Sequence, residues 1–550
     1  MTELPPPPGP PSPGPAPDTP PGPPSPAELT DGGWHRLHPA TPLLRGGLAL
    51  IAVLGIVVAN LRERLAEMVF GGSGAPGDPI DELVRHGLVP LALLVLAVTL
   101  ILFIGGFYLS WRMHTFRITD ELVEVRSGIL FRTHRKARLD RIQGINIVRP
   151  FFARLFGAAR LEITGAGADS NVQLAYLSGV RADELRRDIL TLAAGARPPV
   201  SQPPGADATG AAGAGAASPG LIEQRVNELI APELDPSLAA PESVVRMNPG
   251  RLIASTVLST GTIMFVLVVI AGFVTAAISS EFYVIFGAVP FLFGLGSFRV
   301  NRIVKSLRYT IAATPDGVRV GYGLLTTSNE TLPPGRIHSI SISQSLLWRP
   351  FDWWEVKVNR AGKSSAQGAA GQQNTTILPV GTRAEVFKVL ELVLPGLVTD
   401  QTRAVVEAGL AKARPDDGFT TSPRRAAVLR WFSWRRNGFA LRPDAVVLRR
   451  GAIWRELVVV PAARMQSVSV TQGPLYRALR LAGVHVHTVA GPISAQLGAL
   501  DSGDASGFFR DLASTAVAAA AADRTHRWRS GGSPGDTRGA SGPAAGGAPA

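Results

Sequence analysis

The side chains that most often carry out chemistry in proteins are few and scattered in this sequence. There is no cysteine, which excludes disulfides, thiolate nucleophiles and cysteine-based metal sites. His485 and His487 share one face of a predicted strand, but two imidazoles without a third ligand make a poor metal site. The fragment Gly362-Lys363-Ser364 lacks the earlier glycine of a phosphate-binding loop. We therefore expect no catalytic residue, no metal site and no cofactor.

Arginine is the one chemically versatile residue that recurs at regular positions. Arg141, Arg336 and Arg464 each open a similar five-residue motif, which in the last case reads Arg-Met-Gln-Ser-Val. A guanidinium at such a position could contact lipid headgroups or the carboxylates of a partner. Alternatively, each arginine pairs with an acid or a backbone carbonyl and fixes its own turn. Because the arginine recurs while the surrounding loops differ, we favour the structural role for all three.

Two other stretches, at residues 132–141 and 424–436, combine positive charge with features of a membrane-facing surface. We call the second the basic–aromatic segment. The second stretch places arginines around two tryptophans and a phenylalanine, a composition typical of segments that lie among lipid headgroups. A buried segment between domains is the alternative for that stretch. The candidate contacts with a membrane surface or partner are Arg132, Arg135, Lys136 and Arg138 in the first stretch, and Arg424, Arg425, Trp431, Phe432, Trp434, Arg435 and Arg436 in the second.

The composition indicates a membrane protein. Of the 550 residues, 46% are hydrophobic, and the mean hydropathy is +0.18. The net charge of +13 has an ordinary explanation in the cationic cytoplasmic loops of membrane proteins. Nucleic-acid binding is the competing interpretation of that charge, and we expect no nucleic acid as a partner.

Four apolar runs account for this hydropathy, at residues 46–61, 87–111, 252–279 and 282–298. Each is near the length that a helix needs to cross a hydrocarbon core of ~30 Å. Buried core helices fit less well, because the runs come in two tight pairs. The runs predict four transmembrane helices in two hairpins. Lys and Arg are in excess after the second and fourth runs, which predicts that both termini and all large polar segments are cytoplasmic.

The polar segments are three repeats of one unit. When Gly128, Gly323 and Gly451 are aligned, the sequences agree without a gap in both directions, which indicates duplication. Residues alternate between apolar and polar before each glycine, as in a half-buried strand. The arginine motif follows thirteen residues after the glycine. Each repeat ends in an apolar pattern of helical period, so each unit combines several short strands with one helix.

The fold class that follows is a multidomain membrane protein with four transmembrane α-helices in two hairpins and three small α+β domains. The domain boundaries divide the chain into nine segments. These are a disordered proline-rich start at 1–30, the first transmembrane hairpin at 31–115, domain 1 at 116–192, a flexible linker at 193–245, the second hairpin at 246–308, domain 2 at 309–397, a linker with the basic–aromatic segment at 398–436, domain 3 at 437–522, and a disordered tail at 523–550.

One family resembles this arrangement. The stretches at 464–468, 472–475 and 484–491 resemble the bacterial pleckstrin-homology-like (PH-like) domain of the second type. The order of two helices, a domain, two helices and two further domains resembles the YdbT-type membrane proteins. The resemblance implies that each domain is a curled antiparallel sheet capped by a C-terminal helix. It also implies a membrane protein without known catalysis, often found with a smaller sister protein that has one such domain.

The expected function is therefore that of a non-catalytic, membrane-anchored binding or scaffold protein. It would display three PH-like domains on the cytoplasmic face of the cell membrane, in envelope homeostasis or stress defence. A transporter or channel component is the alternative, although its apolar runs would lack the ionisable residues that ion pathways usually need. An enzyme is a weaker alternative. The expected partners are the lipid bilayer and other membrane proteins, including the smaller sister protein, with a homo-oligomer as a further candidate.

Overall fold

The computed structural model describes residues 32–36, 41, 55, 86–128, 132–166, 171–193, 245–279, 294, 296–297, 300–301, 303–314, 317–333, 335–361, 375–394 and 397–522. The predicted disordered start at 1–30 and tail at 523–550 lie outside these residues. So do nearly all of the predicted linker at 193–245 and of the first and fourth apolar runs, and the fragment at 362–364.

Repeat 1 consists of two small antiparallel sheets and a closing helix. A short strand and an apolar helix precede it, β1 (His35–Arg36) and α1 (Val89–Arg112). Its first sheet contains β2 (Thr115–Ile118), β3 (Leu122–Ser127) and β4 (Thr133–Arg138). Next come β5 (Ile142–Arg149), α2 (Phe151–Leu155), β6 (Ala158–Gly165), β7 (Val172–Ser178) and the closing helix α3 (Gly179–Ala193).

Repeat 2 has the same order of elements. It begins with β8 (Val245–Arg246) and two apolar helices, α4 (Pro249–Val257) and α5 (Thr260–Ser279). The strands β9 (Thr310–Thr314), β10 (Gly317–Tyr322), β11 (Thr327–Leu332) and β12 (Ile337–Gln344) follow. After a 3-10 turn at Leu346–Phe351 come β13 (Trp354–Arg360), β14 (Thr376–Gly381) and the closing helix α6 (Arg383–Val393).

Repeat 3 follows after one additional helix, α7 (Asp400–Leu410). It begins with β15 (Thr420–Thr421) and the short helix α8 (Ala427–Arg430). Its strands are β16 (Gly438–Leu441), β17 (Ala445–Arg450), β18 (Arg455–Pro461) and β19 (Ser467–Thr471). Helix α9 (Pro474–Ala478), β20 (Leu481–His487), β21 (Ala495–Asp501) and the closing helix α10 (Ser502–Ala522) complete it.

The glycine on which the three repeats align has the same structural role in each. Gly128, Gly323 and Gly451 have φ angles of 104°, 107° and 77°, a region that only glycine adopts without strain. Each ends the second full strand and starts the turn to the third. A side chain at Gly323 or Gly451 would collide with the carbonyl oxygen of the residue three positions later. The turn therefore requires glycine, which explains why this position anchors the sequence alignment.

The strands of consecutive repeats join into shared sheets. β5 of repeat 1 pairs with β11 of repeat 2, and β12 of repeat 2 pairs with β18 of repeat 3. Both junctions contain five antiparallel residue pairs, and both have the same register in the repeat alignment, since Ile145–Thr331 corresponds to Ile340–Val459. The result is two seven-stranded sheets, each with three strands from one repeat and four from the next, between a four-stranded sheet at one end and a three-stranded sheet at the other.

Each repeat has a hydrophobic core between its sheets and its closing helix. In repeat 1, Phe116 and Ile118 of the first sheet pack with Leu161 of the second, and α3 contributes Leu185 and Ile189. The core of repeat 2 extends into α7 and one face of β17 and β18, and the core of repeat 3 forms a further cluster. In repeat 2, a capping box between Thr382 and Glu385 fixes the start of the closing helix α6. The core residues of the helices follow the helical spacing seen in the sequence.

The prediction of four transmembrane helices is wrong for the part of the chain that the structure describes. There, no single helix is both long and apolar enough to cross a membrane. In the second run, α1 extends over Val89–Arg112, but the stretch within it that qualifies as an apolar helix is Ala97–Arg112, which is shorter than the ~20 residues that a span needs. The third run is two helices, Pro249–Val257 and Thr260–Thr275, bent by 49°, which qualify only as a pair, by length and composition.

The break in the third run has a polar cause. Thr262 donates a hydrogen bond from Oγ1 to the carbonyl of Thr256 (2.6 Å), and Ser259 Oγ lies 3.0 Å from Thr262 Oγ1. Hydroxyl groups that bond to nearby backbone compete with the regular helical ladder and bend helices. The apolar composition of residues 252–279 predicted a single helix, because a few hydroxyl groups change the mean hydropathy of the run very little.

We expect the buried ion pair beside the first junction to be important for stability. Arg360 donates from Nη1 and Nη2 to the two carboxylate oxygens of Glu330, at 2.8 and 3.3 Å, and both side chains are buried. Glu330→Ala leaves the arginine buried without this carboxylate and should lower the free energy of unfolding by ~3–5 kcal/mol. Denaturant unfolding of the full chain measures the change.

The matched control is Glu391→Ala. Glu391 also pairs with an arginine, Arg403, at 2.8 Å, but both side chains are about half exposed. That substitution should cost no more than ~1 kcal/mol. Equal effects of the two substitutions would contradict the importance of the buried pair.

Candidate functional site

A repeated arginine ties each repeat to the turn of the next one. Arg154 donates from Nη1 to the carbonyl of Leu324 in repeat 2 at 3.4 Å. Arg349, at the equivalent position of repeat 2, donates to the carbonyls of Ala452 and Ile453 in repeat 3, the latter at 2.6 Å. Both arginines reach the residues directly after the aligned glycine. The two junctions therefore share a side-chain contact as well as a strand register.

The motif arginines reach in the opposite direction, toward the preceding repeat. Arg336 of repeat 2 donates from Nη2 to the carbonyl of Asp140 in repeat 1 at 3.0 Å. Arg464 of repeat 3 lies beside His338 of repeat 2, whose ring is hydrogen-bonded to the Arg464 backbone. Burial, together with the charge of Arg464, lowers the pKa of Arg336 below its ordinary value. Arg141 has no preceding repeat and is exposed at the end of its 3-10 turn.

His338 is the titratable group at the second junction. Burial lowers the pKa of its imidazole, and the neighbouring Arg464 and Arg336 lower it further, while the hydrogen bond to the Arg464 backbone acts in the other direction. Gln143 and Gln466 stand at the same position of repeats 1 and 3. Protonation of His338 is therefore unfavourable in the folded junction, and acid should weaken the contact between repeats 2 and 3.

Among the described residues, exposed apolar side chains occur at two kinds of position in the repeats, and in repeat 1 only the first of these is described. One position is the segment after the fourth full strand, and the other is the turn after the aligned glycine. Because the junction arginines bridge these two positions, the side chains form one surface along the row of repeats. We call it the apolar ribbon. Its exposed members are Phe151, Phe152, Leu155, Phe156, Leu324, Leu325, Leu346, Leu347, Phe351, Ile453, Trp454 and Leu475.

The apolar ribbon lies beside the base of the apolar helices α4 and α5. Trp454 donates its indole N–H to Thr260 Oγ1 at 3.0 Å, at the first residue of α5. The indole of Trp348 donates to the carbonyl of Ser255 in α4 at 3.1 Å. Arg251 of α4 also forms an ion pair with Glu385 of α6 at 2.8 Å. Repeats 2 and 3 therefore both hold these helices where α4 meets α5.

Each repeat has an insertion at one and the same point. The two-residue strands β1, β8 and β15 pair with β2, β9 and β16, at the equivalent pairs His35–Phe116, Val245–Ile311 and Thr420–Phe439. Between the members of each strand pair lies the insertion, which contains α1 in repeat 1, and α4 and α5 in repeat 2. In repeat 3 the insertion contains the basic–aromatic segment, residues 424–436. The three insertions therefore leave their repeats from equivalent places.

The basic–aromatic segment forms a compact tip with three exposed apolar side chains. Trp431 is 77% exposed, Val428 75% and Phe432 50%, and the two aromatic rings contact each other edge to face. Trp434 is half-buried and packs on the small cluster around Ala426. Arg424 and Arg435 are exposed, and Arg435 lies over the Trp434 ring.

Two arginines of this segment are anchored to the protein. Arg425 donates from Nε to the carbonyl of Leu479 at 2.8 Å and forms an ion pair with Asp501. Arg436 is buried and donates from Nη2 to the carbonyl of Gly409 at 2.7 Å, near the C-terminal end of α7. Burial lowers the pKa of Arg436 to about 9, and the nearby Arg455 and Arg449 contribute. Its guanidinium is directed into the protein rather than toward a membrane surface.

The cations of the first predicted stretch lie on and beside the edge strand β4. Arg132, Arg135, Lys136 and Arg138 are all exposed. Lys136 pairs with the buried Glu124 of β3 at 3.0 Å. Burial raises the pKa of Glu124, but hydrogen bonds from Lys136 and Arg117 outweigh it and leave the pKa below its ordinary value. The carboxylate thus stays charged and neutralises part of this basic edge.

A cleft of about 490 Å³ lies beside the first junction. The stacked rings of Tyr309 and Tyr322 line it, with centroids 5.5 Å apart. Burial raises the pKa of both phenols, so both remain protonated donors. Arg160 and Glu162 form an ion pair at 2.8 Å on the side of repeat 1. The cleft can hold a polar ligand, and it contains no paired nucleophile and base of the kind that covalent catalysis requires.

Comparison with known proteins identifies the repeated unit. The family model of the bacterial PH domain matches residues 64–193, 255–396 and 403–516. The three matches together cover more than half of the chain. The chain belongs to the bacterial PH domain family. The predicted repeat of three PH-like domains is confirmed, and each matched region contains one of the three repeats. None of the curated proteins that were compared matches the chain.

Sequence reasoning did not find the partners of the repeated arginines in these PH domains. It identified Arg141, Arg336 and Arg464 as probable turn-fixing residues, and their contacts across junctions were not foreseen. Arg154, Arg349 and Arg477 also align in the sequence, each thirteen residues after a motif arginine. The available signal was that both arginine positions recur at fixed distances from a glycine turn. Within the described residues, no group of three or more His, Asp or Glu side chains is arranged to hold a metal ion.

The pKa of His338 predicts a pH-dependent second junction. Because the folded-state pKa lies below the ordinary 6.5, the unfolded state binds the proton at higher pH. The stabilisation is therefore complete above pH ~6.5 and is lost as the pH falls below that value. His338→Gln introduces the glutamine that the other two PH domains have at this position. It should remove the part of the pH dependence of stability that comes from His338. Unfolding curves of both proteins between pH 7 and pH 5 measure it, and parallel pH profiles would contradict the assignment.

The junction arginines allow a matched pair of substitutions. Arg349→Ala removes a guanidinium that donates to two carbonyls of the next PH domain, and should lower the free energy of unfolding by ~1–3 kcal/mol. Arg477→Ala removes the equivalent, exposed arginine of the last PH domain. This substitution should change the free energy of unfolding by less than ~0.5 kcal/mol. Denaturant unfolding of the full chain tests both. A larger effect at Arg477 than at Arg349 would refute the role of these arginines in the junctions.

Proposed function

We propose that the protein is a non-catalytic binding and scaffold protein that holds its three PH domains against the cytoplasmic face of the cell membrane. The observation that carries the proposal is the equivalent origin of the three insertions, two of them apolar helices and the third a tip with exposed aromatic rings. All three would contact the same bilayer while the PH domains remain in the cytoplasm.

The shared sheets support a scaffold role. Backbone pairing in an identical register at both junctions fixes the spacing of the PH domains. Modules held at fixed spacing present a partner with several contacts at high effective concentration, and binding at one module favours binding at the next. The cleft beside the first junction is the place where a polar segment of a partner would bind in this proposal.

The chemistry of the apolar ribbon and of the tip supports a lipid surface as the binding partner. Exposed phenylalanine, leucine and tryptophan side chains gain free energy when they leave water, and tryptophan favours the membrane interface. The arginines next to Trp431 and Phe432 would each gain ~1 kcal/mol near anionic lipids. Arg424 and Arg435 are exposed, whereas Arg425 is exposed but pairs with Asp501.

The partners and the biological setting follow the family resemblance. In this proposal, the order of elements that resembles YdbT-type proteins implies other membrane proteins as partners, among them a smaller protein with one PH-like domain. The role would lie in envelope homeostasis or stress defence. The positive charge that follows the apolar runs supports a cytoplasmic position for the PH domains.

A fluorescent probe tests the membrane contact directly. Because the chain has no cysteine, Phe432→Cys provides a single site for an environment-sensitive dye. We expect its emission to shift to the blue when the full chain is reconstituted into vesicles that contain anionic phosphatidylglycerol. The shift should persist in part at high salt, because apolar burial contributes in addition to screened charge.

The matched control carries the dye at Ser514→Cys, which is exposed on the closing helix α10 of repeat 3. We expect no shift at this site. A dye at position 432 that stays in water in every vesicle preparation would overturn the proposed membrane contact, as would equal shifts at both sites.

A further inference from the structure

Among the described strands, one edge at each end of the row of PH domains has no strand beside it. In repeats 1 and 2, the fourth full strand, β5 or β12, pairs with the next repeat, but the equivalent β19 of repeat 3 ends its sheet. In repeats 2 and 3, the third full strand, β11 or β18, pairs with the preceding repeat, but the equivalent β4 of repeat 1 ends its sheet. Such edges offer a row of backbone donors and acceptors for pairing.

The exposure of these two strands agrees with their position. Seven of the eight residues of β5 are buried, whereas no residue of β19 is. All six residues of β11 are buried, whereas five of the six residues of β4 are exposed. Each open edge therefore resembles a junction strand that has lost its neighbour.

We propose that molecules of this protein associate head to tail, with β19 of one molecule pairing antiparallel with β4 of a second molecule. The contact would repeat the junction that the chain already makes twice within itself. The common register of the two internal junctions defines the new one. It places Val468 opposite Lys136, Ser469 opposite Arg135, and Val470 opposite His134.

One side-chain pair at these edges matches a pair at the second junction. At the second junction, Arg455 donates to Gln344 at 3.5 Å. In the repeat alignment, the corresponding residues at the open edges are Arg132 and Gln472, which would form the same pair. Arg477 corresponds to Arg154 and Arg349, and would reach the turn after the aligned glycine in the second molecule.

The charges of the two edges favour this pairing over the pairing of two β4 strands. β19 has only serine, valine and threonine, whereas β4 has three cationic residues. Two β4 strands would place like charges opposite each other, which is unfavourable, whereas β4 against β19 brings no two charges together. The contact is therefore directional, and a directional contact between identical molecules produces closed rings or open filaments. This inference does not depend on the proposed membrane contact.

Cross-linking between differently tagged molecules tests the pairing and its register. One molecule carries Ser469→Cys and the other carries Arg135→Cys, in a chain that has no other cysteine. Directly opposite residues in antiparallel strands lie close enough for a disulfide. We expect a mixed disulfide when the full chains are combined in mild detergent with an added oxidant. Ser514→Cys on α10 replaces Ser469→Cys in the control and should give none.

Sedimentation of the full chain tests the same contact without a covalent link. Ser469→Lys places a cation opposite Arg135 and should weaken association roughly fivefold, and the added Arg135→Glu should restore it. Arg477→Ala should weaken association while the melting temperature stays unchanged. Thermal melting shows that the lysine variant is folded. A chain that stays monomeric up to high concentration, or association that is insensitive to Ser469→Lys, would overturn the proposal.

Discussion

The backbone pairing between the fourth strand of one repeat and the third strand of the next is the interaction on which the rest of the structure depends. A small PH-like unit alone would leave two strand edges open, and an open edge carries unpaired donors and acceptors. Joining the units edge to edge satisfies these groups and makes the sheets continuous across domain boundaries. It also buries polar side chains such as Asn146 and Ser328, which hydrogen-bond to each other at 2.8 Å. The junctions are thus part of the folded core, and the spacing of the three domains is a property of the fold.

The repeated arginines follow from this geometry. When two units pair in the same register, the turn of one unit always lies beside the same segment of its neighbour, and the carbonyls of that turn need donors. Arginine has a long side chain with five N–H donors in a fixed fork, which lets Arg349 serve two carbonyls at once. A residue that acts between units recurs in every unit, including the terminal ones, where Arg141 and Arg477 have no neighbouring unit within the chain.

Much of the repeat was predictable from sequence, but the connections between repeats were not. The aligned glycines have positive φ angles that the turn requires, and the alternating valines before them mark strands, so single-chain patterns identified three equal units. The shared sheets involve residues far apart in sequence, which no local period reveals. The sequence of Thr327–Leu332 even pointed the other way: five of its six residues are polar or charged, which is typical of an exposed strand, yet all six are buried in the shared sheet. The predicted single span at residues 252–279 failed for a different reason, because a hydropathy sum does not show the hydroxyl contacts at which this helix bends.

The three insertions start and end at equivalent strand pairs, and this fixes their relative positions more than their individual sequences do. Because the two junctions have the same register, one similar rotation and translation relates each unit to the next. The insertions, which start at equivalent residues, are then related by the same operation. The chain places apolar helices at two of these points and exposed aromatic rings at the third. At the second of these points, the indoles of Trp348 and Trp454 hydrogen-bond to Ser255 of α4 and Thr260 of α5, so repeats 2 and 3 both contact this pair of apolar helices. The basic edge β4 and the uncharged edge β19 occupy the two ends of the row instead. Edge pairing along the row therefore uses the third and fourth strands of the units and leaves the insertions outside the shared pairing.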